Sequence, residues 1–544
     1  MLLSNLNLLA TAPGGVARLR ELILTLAVQG KLVPQDTKDE PANELLKKIR
    51  TEKDRLIAEG KIKRDKPLAE IAEEEKPFGL PRGWEWARLG DLCSYIQRGK
   101  GPVYADHSEH RVISQKCVRW YGLNLEPARF VTAESLTKYE AIRFLQTGDL
   151  LWNSTGTGTI GRACLVPPAQ DKAELVADSH VTVVRPVQLN AWFLWRWIQS
   201  PYVQNEIEGS ASGTTNQIEL NTSTVVNHPI PVPPLVEQSR IVTRVEELMR
   251  LCDALEAKAQ LAATQHAQLV STLLATLTES ETPAQLADNW HRIATHFDLL
   301  LDRPEAVDAL EQTILQLAVR GLLSPQVVGD PQVEIGHREN SSSNIPPSWS
   351  QVSFEDVLLE LRYGTSVKCG YDVVGTPVLR IPNLTGGGVD ITDLKFGILE
   401  EREKEKLRLE RGDLLIIRSN GSVSLVGSAA LVSTESEGFA FAGYLVRARF
   451  RREYVEPTYL VLVMQTIEIR AQIEAPIRTT SGVKNINSTE ISRLTFALPP
   501  LAEQSRIVTR VAQLRRLCAD LRQRLSASQS TQAHLAEALV QEVA

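Results

Sequence analysis

No stretch of these 544 residues approaches the roughly 18–20 consecutive apolar side chains that a membrane span requires. The opening MLLSNLNLLATAPGG has no basic start and no cleavage site of the usual kind, so no secretory signal is expected. The six cysteines lie far apart and form no Cys-x-x-Cys pair. That excludes a zinc ribbon and a disulfide scaffold, and fits a reducing cytoplasm. No Gly-x-x-x-x-Gly-Lys-Ser/Thr loop occurs, which removes P-loop ATP chemistry. Gly156, Gly158 and Gly161 spell Gly-x-Gly-x-x-Gly, but RACLVPP follows where a helix would have to begin. A strand-turn-strand is expected there instead of a dinucleotide site. His107 and His110 stand three apart without further ligands, and read as surface histidines. Basic excess is missing as well, with 60 Lys and Arg against 66 Asp and Glu, a net charge of −6. That balance counts against a nucleic-acid binder but leaves function open, since a large protein can gather its cations on one face while its scaffold helices stay acidic.

What the chain does have is a second copy of itself. PPLVEQSRIVTRV begins at Pro233 and PPLAEQSRIVTRV at Pro499, with twelve of thirteen positions identical at an offset of 266. LAVQGKLVPQ from Leu26 matches LAVRGLLSPQ from Leu317, and LPRGWEWARLGDL from Leu80 matches IPPSWSQVSFEDV from Ile345. GDLLWNST from Gly148 pairs with GDLLIIRS from Gly412, GRACLV from Gly161 with GSAALV from Gly427, and IELN from Ile218 with KNIN from Lys484. Each copy therefore runs short helix, linker, a domain of roughly 150 residues, then a long helix. Between the landmarks the two domains diverge, so one framework carries two different fillings. The parts expected are a short-helix region over 1–32, a charged helical linker over 33–79 and a first domain over 80–232. A central long and short helix (233–326), a flexible linker (327–344), a second domain (345–498) and a C-terminal long helix (499–544) follow.

The domain interiors read as β. HVTVVRP, DLLIIRS and YLVRARF are β-branched runs ending at Pro, Gly or polar clusters, with helical stretches such as WFLWRWIQSPYVQNEI between them. In the long helices, Ile241, Val245, Leu248, Cys252, Leu255, Ala259 and Ala262 step alternately by four and three, as do Ile507, Val511, Leu514, Cys518, Leu521, Leu525 and Ser528. That is a heptad seam, on which Cys252 and Cys518 serve as small apolar side chains. A helix from Glu237 to Thr278 would be on the order of 60 Å long. If the duplication folds about a pseudo-two-fold axis, the two chain ends must meet, as the long and short helices do in mid-chain.

The Pro-Pro-Leu-x-Glu-Gln motif entering a long helix, repeated after two divergent domains, resembles the specificity subunits of type I restriction-modification systems. The Leu-Pro-x-Gly-Trp-x-x-x-x-Leu-Gly-Asp opening at Leu80 resembles the same family, and the likeness covers essentially the whole chain. The second opening departs from it, with Ser348 and Glu355 where glycines are usual. The resemblance implies an α+β fold, two target-recognition domains separated by long antiparallel coiled-coil helices with pseudo-two-fold internal duplication. It implies a non-catalytic subunit that binds a bipartite, asymmetric double-stranded DNA site. Two modification (methyltransferase) subunits and two restriction (translocase and nuclease) subunits would be its partners. S-adenosylmethionine, ATP and Mg would reside on those partners, with none on this chain. Two other readings stay open on sequence grounds: a scaffold bridging two proteins, which the acidic balance favours, and a fused nuclease-methyltransferase, which lacks its motifs here.

On that implication, candidate DNA contacts follow from side-chain type, since Arg and Asn can address guanine or adenine edges with two hydrogen bonds. Arg98, Lys100 and Tyr104 flank glycines early in the first domain, and Arg362, Tyr363 and Lys368 do so in the second. Asn153 and Ser154, with Arg418 and Asn420, follow the shared Gly-Asp-Leu-Leu strand. Thr214, Thr215, Asn216 and Gln217, with Thr480, Ser481 and Lys484, form donor-rich late segments. Pro233, Leu235, Glu237 and Gln238 are repeated as Pro499, Leu501, Glu503 and Gln504, which points to a structural joint or partner docking in preference to base reading.

Overall fold

The computed structural model describes residues 6–64, 66–137, 139–156, 158–168, 174–211, 219–335, 345–475, 478–480 and 483–543. They form two compact units, Met1–Leu261 with Gln529–Ala544, and Ala262–Ser528. The long helices are Leu235–Thr278 and Leu501–Val543, so each unit contains one recognition domain and the last turns of the other copy's long helix. In the first unit the chain ends come together: Leu9 and Ala12 are buried with Ala536, and Arg18 faces Glu537 at 3.9 Å. In the second, Val270, Leu274 and Leu277 are buried in one cluster with Ile293, Leu300, Leu301 and Val307.

The first domain is built on an antiparallel sheet in the order Cys93–Arg98, Val181–Pro186, Leu150–Asn153, Ala163–Leu165. The second repeats that order with Leu358–Tyr363, Leu445–Phe450, Leu414–Ile417 and Ala429–Leu431. The central strands Leu150–Asn153 and Leu414–Ile417 are buried at every position, which is why their sequences run apolar without alternation. At their edge Asp149 holds Arg185 through two hydrogen bonds of 2.7 Å, and Asp413 holds Arg449 through two of 2.8 Å. A smaller sheet also recurs, as Leu175–Ala177, Arg111–Ile113, Arg129–Val131, Tyr104–Ala105 in one unit and Ala440–Phe441, Thr376–Leu379, Lys395–Gly397 in the other. The charged segment ahead of the first domain joins the core, since its helix Ala42–Ala58 buries Ala42, Leu45 and Ile49 there.

The three-glycine run is a strand-turn-strand. Gly161 (φ 83°) and its counterpart Gly427 (φ 82°) both need positive φ. A Cβ on either would lie 3.1 Å from Ile207 Cδ1 or 2.6 Å from Ile473 Cδ1, so the helices Pro201–Ala211 and Ile467–Glu474 press directly on the turn. Along the long helices, Ile241, Val245 and Cys252 are buried with Ile23, Leu24 and Ala27 of the short helix Gly15–Val28. Ile507, Val511 and Cys518 share a cluster with Leu310 and Ile314 of the helix Pro304–Val319. Each seam thus meets the short helix of its own unit over its first half, whereas Ala259, Ala262 and Ser528 are exposed.

One buried titratable group separates the units. His228 accepts a hydrogen bond at Nε2 from Trp197 Nε1 at 3.1 Å, and burial, helped by the Arg88 cation, lowers its pKa from 6.5 to about 4. At the equivalent position 266 residues on, the second unit has Leu494. The unfolded state binds the extra proton between those two values, so the first unit should lose up to about 3 kcal/mol as pH falls from 6.5 to 4. A His228→Gln variant should remove that acid sensitivity in thermal unfolding, and an unchanged pH slope would refute the assignment.

Candidate nucleic-acid interface

The repeated motif builds the same buried constellation twice. Glu237, 1% exposed, accepts hydrogen bonds from Trp84 Nε1 at 3.1 Å and Gln35 Nε2 at 2.6 Å. Glu503, 0% exposed, accepts from Trp349 Nε1 at 2.8 Å and Gln326 Nε2 at 2.5 Å. Burial pushes both carboxyls above the usual range, and the tryptophan and glutamine donors oppose it. The neighbouring glutamines work alike: Gln238 accepts from Asn190 N and donates to Pro233 O, both at 2.9 Å. Gln504 accepts from Glu456 N and donates to Pro499 O, both at 2.8 Å. Leu235 and Leu501 stay exposed on the helices' first turns. These side chains tie the helix start to the domain opening and to the end of the short-helix segment.

The early strand, the Gly-Asp-Leu-Leu strand and the late segment converge in each domain. In the first, Arg98 donates to Leu220 O at 2.8 Å and pairs with Glu219, while Leu220 N donates to Ser154 O at 2.9 Å. In the second, Tyr363 stands at the position of Arg98, and Arg418 lies 4.7 Å over its ring. Ile486 N donates to Arg418 O at 2.9 Å, repeating the Leu220–Ser154 bond. Asn420 pairs in register with Lys484, whose strand Val483–Asn485 also pairs with Arg478–Thr480.

Two expected contacts are corrected. Asn153 and Ser154 are both fully buried: Asn153 Nδ2 donates to Gln115 O and Thr159 O at 3.1 and 3.2 Å, and Ser154 bonds Thr182. They shape the turn and present nothing to a ligand. Arg362 pairs with Glu360, as Arg98 pairs with Glu219. Lys100, Tyr104, Tyr363 and Lys368 are exposed. Thr214, Thr215, Asn216, Gln217 and Ser481 lie outside the described residues.

The structure adds a pair of contacts that sequence reading did not single out. Arg129 stacks 3.6 Å over the exposed Tyr104 ring, and Lys395 lies 4.8 Å over the exposed Tyr371 ring. Arg129 and Lys395 occupy the same strand position, 266 residues apart. Arg380, just past the strand Thr376–Leu379, approaches Tyr371 at 6.0 Å. An amphipathic ring and a cation held together on an outward face suit phosphate and sugar contact. Among the described residues no group of three or more His, Cys, Asp and Glu side chains could hold a metal ion, and no helix is long and apolar enough to cross a membrane.

Two domains of one topology, each bolted to a long helix through the same buried glutamate, define a protein built from one duplicated domain-and-helix frame. The family model of the type I restriction modification DNA specificity domain matches residues 81–265. The EcoEI and EcoAI type I restriction enzyme specificity subunits of Escherichia coli are each 32% identical over 96% of this chain and 93% of their own length. A solved chain from work on complex assembly and conformational transition of the type I R-M system superposes with a TM-score of 0.52 at 19% identity, covering 86% of this chain and 99% of its own. At that identity the last likeness is one of fold. The chain belongs to the family of type I restriction enzyme specificity subunits, the non-catalytic DNA-recognition subunits of their systems.

Removing one indole donor leaves a buried carboxylate oxygen without its partner, which costs about 1–3 kcal/mol. Trp84→Phe should therefore destabilise the first unit and Trp349→Phe the second by that amount, measured by urea unfolding followed separately in each unit. Equal stability of variant and parent would show that the hydrogen bond carries no weight.

Proposed function

We propose that the chain reads a bipartite, asymmetric DNA site, one half through each domain, and so directs adenine methylation and restriction by partner subunits. The partners are two modification subunits, which hold S-adenosylmethionine, and two restriction subunits, which use ATP and Mg; the assembly works in the cytoplasm. The observation that carries this reading is the recurrence of one sheet order and one joint with different outward side chains. At matching strand positions Arg98 is replaced by Tyr363, and Arg129 by Lys395. A pure scaffold has no need to diversify those positions while keeping the frame. Two readers of two different half-sites do.

The contact set follows the converging segments: Arg98, Lys100 and Tyr104 with Arg129 in the first domain; Arg362, Tyr363, Lys368, Arg418, Asn420, Thr480 and Lys484 with Lys395 in the second. Thr214 to Gln217 and Ser481 extend the late segments of the two sets. Cations on exposed rings set register on the backbone, and side chains near the convergent strand ends address base edges. Half-sites read on one face of the duplex lie about one helical turn apart, roughly 10 bp.

The decisive experiment is co-expression with the modification subunit of the same system and mapping of modified adenines across the host genome. One split, asymmetric motif is the expected result; a stable complex that modifies no motif would overturn the reading. Within the complex, Arg129→Ala and Lys395→Ala should each reduce the slope of log affinity against log salt by about one and leave the motif unchanged. An unaltered salt slope would remove these two residues from the contact set.

A further inference from the structure

The first unit has an open groove of about 1200 Å³ that includes Leu24 of the short helix, Met249 of the long helix, Trp192 and Arg196 of the helix Ala191–Gln199, and the hairpin turn Trp120–Tyr121. Its aromatics are uncovered: Trp120 is 39% exposed, Trp192 44% and Tyr121 78%. Arg196 lies 4.8 Å from the Trp195 ring and 6.0 Å from the Trp192 ring. It donates to Gln199 Oε1 at 2.7 Å, and among the described residues no carboxylate lies within ion-pair distance of it; Glu246, whose charge acts on it, pairs with Arg250 at 3.8 Å. Burial lowers the Arg196 pKa against the pull of Glu246, and a part-buried guanidinium with no carboxylate in direct contact is an arrangement that an incoming carboxylate would relieve.

The rest of the lining decides the class of ligand. Arg18 and Arg20 face Glu21 and Asp253 at 2.9 and 2.7 Å, so their charges are already answered. The groove therefore has little to offer a polyanion such as a nucleic-acid strand, whose binding rests on many uncompensated cations. Exposed Trp and Tyr around one desolvated Arg is the composition of a protein-protein hot spot.

Among the described residues the second unit lacks the side chains of this lining, and the duplication allows the comparison position by position. At an offset of 266, the turn Trp120–Tyr121 becomes Gly386–Gly387, and Trp192, Trp195 and Arg196 become Thr458, Val461 and Leu462. A Cβ on Gly387 would lie 2.8 Å from Val461 Cγ1, so the hairpin rests on the helix with no room for a side chain. Met249 becomes Arg515, which reaches Gln465 and pairs with Glu311 at 3.0 Å. The groove thus belongs to one half alone, although the frame around it is repeated.

We infer that this groove docks a segment of the modification subunit in which an Asp or Glu is flanked by apolar side chains, and that the contact forms at the first domain only. The two modification subunits then bind this chain with unequal affinity, the tighter one at the first domain. The partner rests on the function proposed above, while the asymmetry rests on the groove.

The test is titration of the purified full-length chain with its modification subunit, followed by calorimetry and native mass spectrometry. Two sites differing at least tenfold are expected. Arg196→Glu, and separately Tyr121→Ala with Trp192→Ala, should weaken the tighter site about tenfold or more, leaving the weaker site and the thermal unfolding of the chain unchanged. Tyr121 and Trp192 lie on the surface, so the aromatic variant keeps the test valid where charge reversal at the part-buried Arg196 perturbs folding. Equal sites in the parent chain, or variants that bind as it does, would overturn the inference. So would a fall in DNA affinity with modification-subunit binding intact, which would make the groove a nucleic-acid contact. If the parent chain binds no modification subunit at all, the function proposed above fails, and the partner named here with it.

Discussion

Everything in each unit is referred to one buried carboxylate. Glu237 and Glu503 sit at the first turn of a long helix with almost no access to water. A carboxylate in that position is tolerable only if donors surround it, and two are supplied from elsewhere in the chain: an indole from the domain opening and an amide from the end of the short-helix segment. Three elements distant in sequence are thereby held in one geometry. The approach is close enough that Gly30 and Gly321, both at positive φ, admit no side chain: a Cβ would fall 2.6 and 2.4 Å from the Cγ of Pro81 and Pro346. That explains why the identical residues of the two copies gather here while the rest of each domain drifts.

The same joint leaves the domains free to differ. Sheet order depends on backbone pairing and on buried runs such as Leu150–Asn153 and Leu414–Ile417, which accept many apolar sequences. The outward positions at strand ends carry no such burden. Arg98 and Tyr363, or Arg129 and Lys395, can differ without disturbing the frame, which suits a protein whose targets vary faster than its architecture.

The two copies are also matched internally by charge. Arg20 of the first short helix pairs with Asp253 and Glu256 of its long helix at 2.7 and 2.8 Å. In the second unit the polarity is reversed, with Glu311 of the short helix meeting Arg522 of the long helix at 3.1 Å. Arg20 corresponds to Glu311 and Glu256 to Arg522. Pairing either short helix with the wrong long helix would set Arg20 against Arg522 and Glu311 against Glu256. Such exposed pairs add about 0–1 kcal/mol each, so their effect is to discriminate between partners more than to stabilise.

Sequence by itself determined the duplication, the α+β class, the family and the long helices almost to the residue, because repeats, heptads and proline entries are local patterns. It also marked the three segments that converge at the strand ends, since the repeated landmarks flank them. Which side chains in those segments face outward was decided by the tertiary structure: Asn153 and Ser154 read as polar readers but fold inward to satisfy a turn. The Arg129–Tyr104 and Lys395–Tyr371 stacks were hidden because each ring and its cation come from segments well apart in the sequence that only the folded domain brings together. The groove of Trp192 and Arg196 was hidden for a related reason. A tryptophan-rich helix reads as core, and only packing against the short helix and the hairpin decides which of its faces is left uncovered.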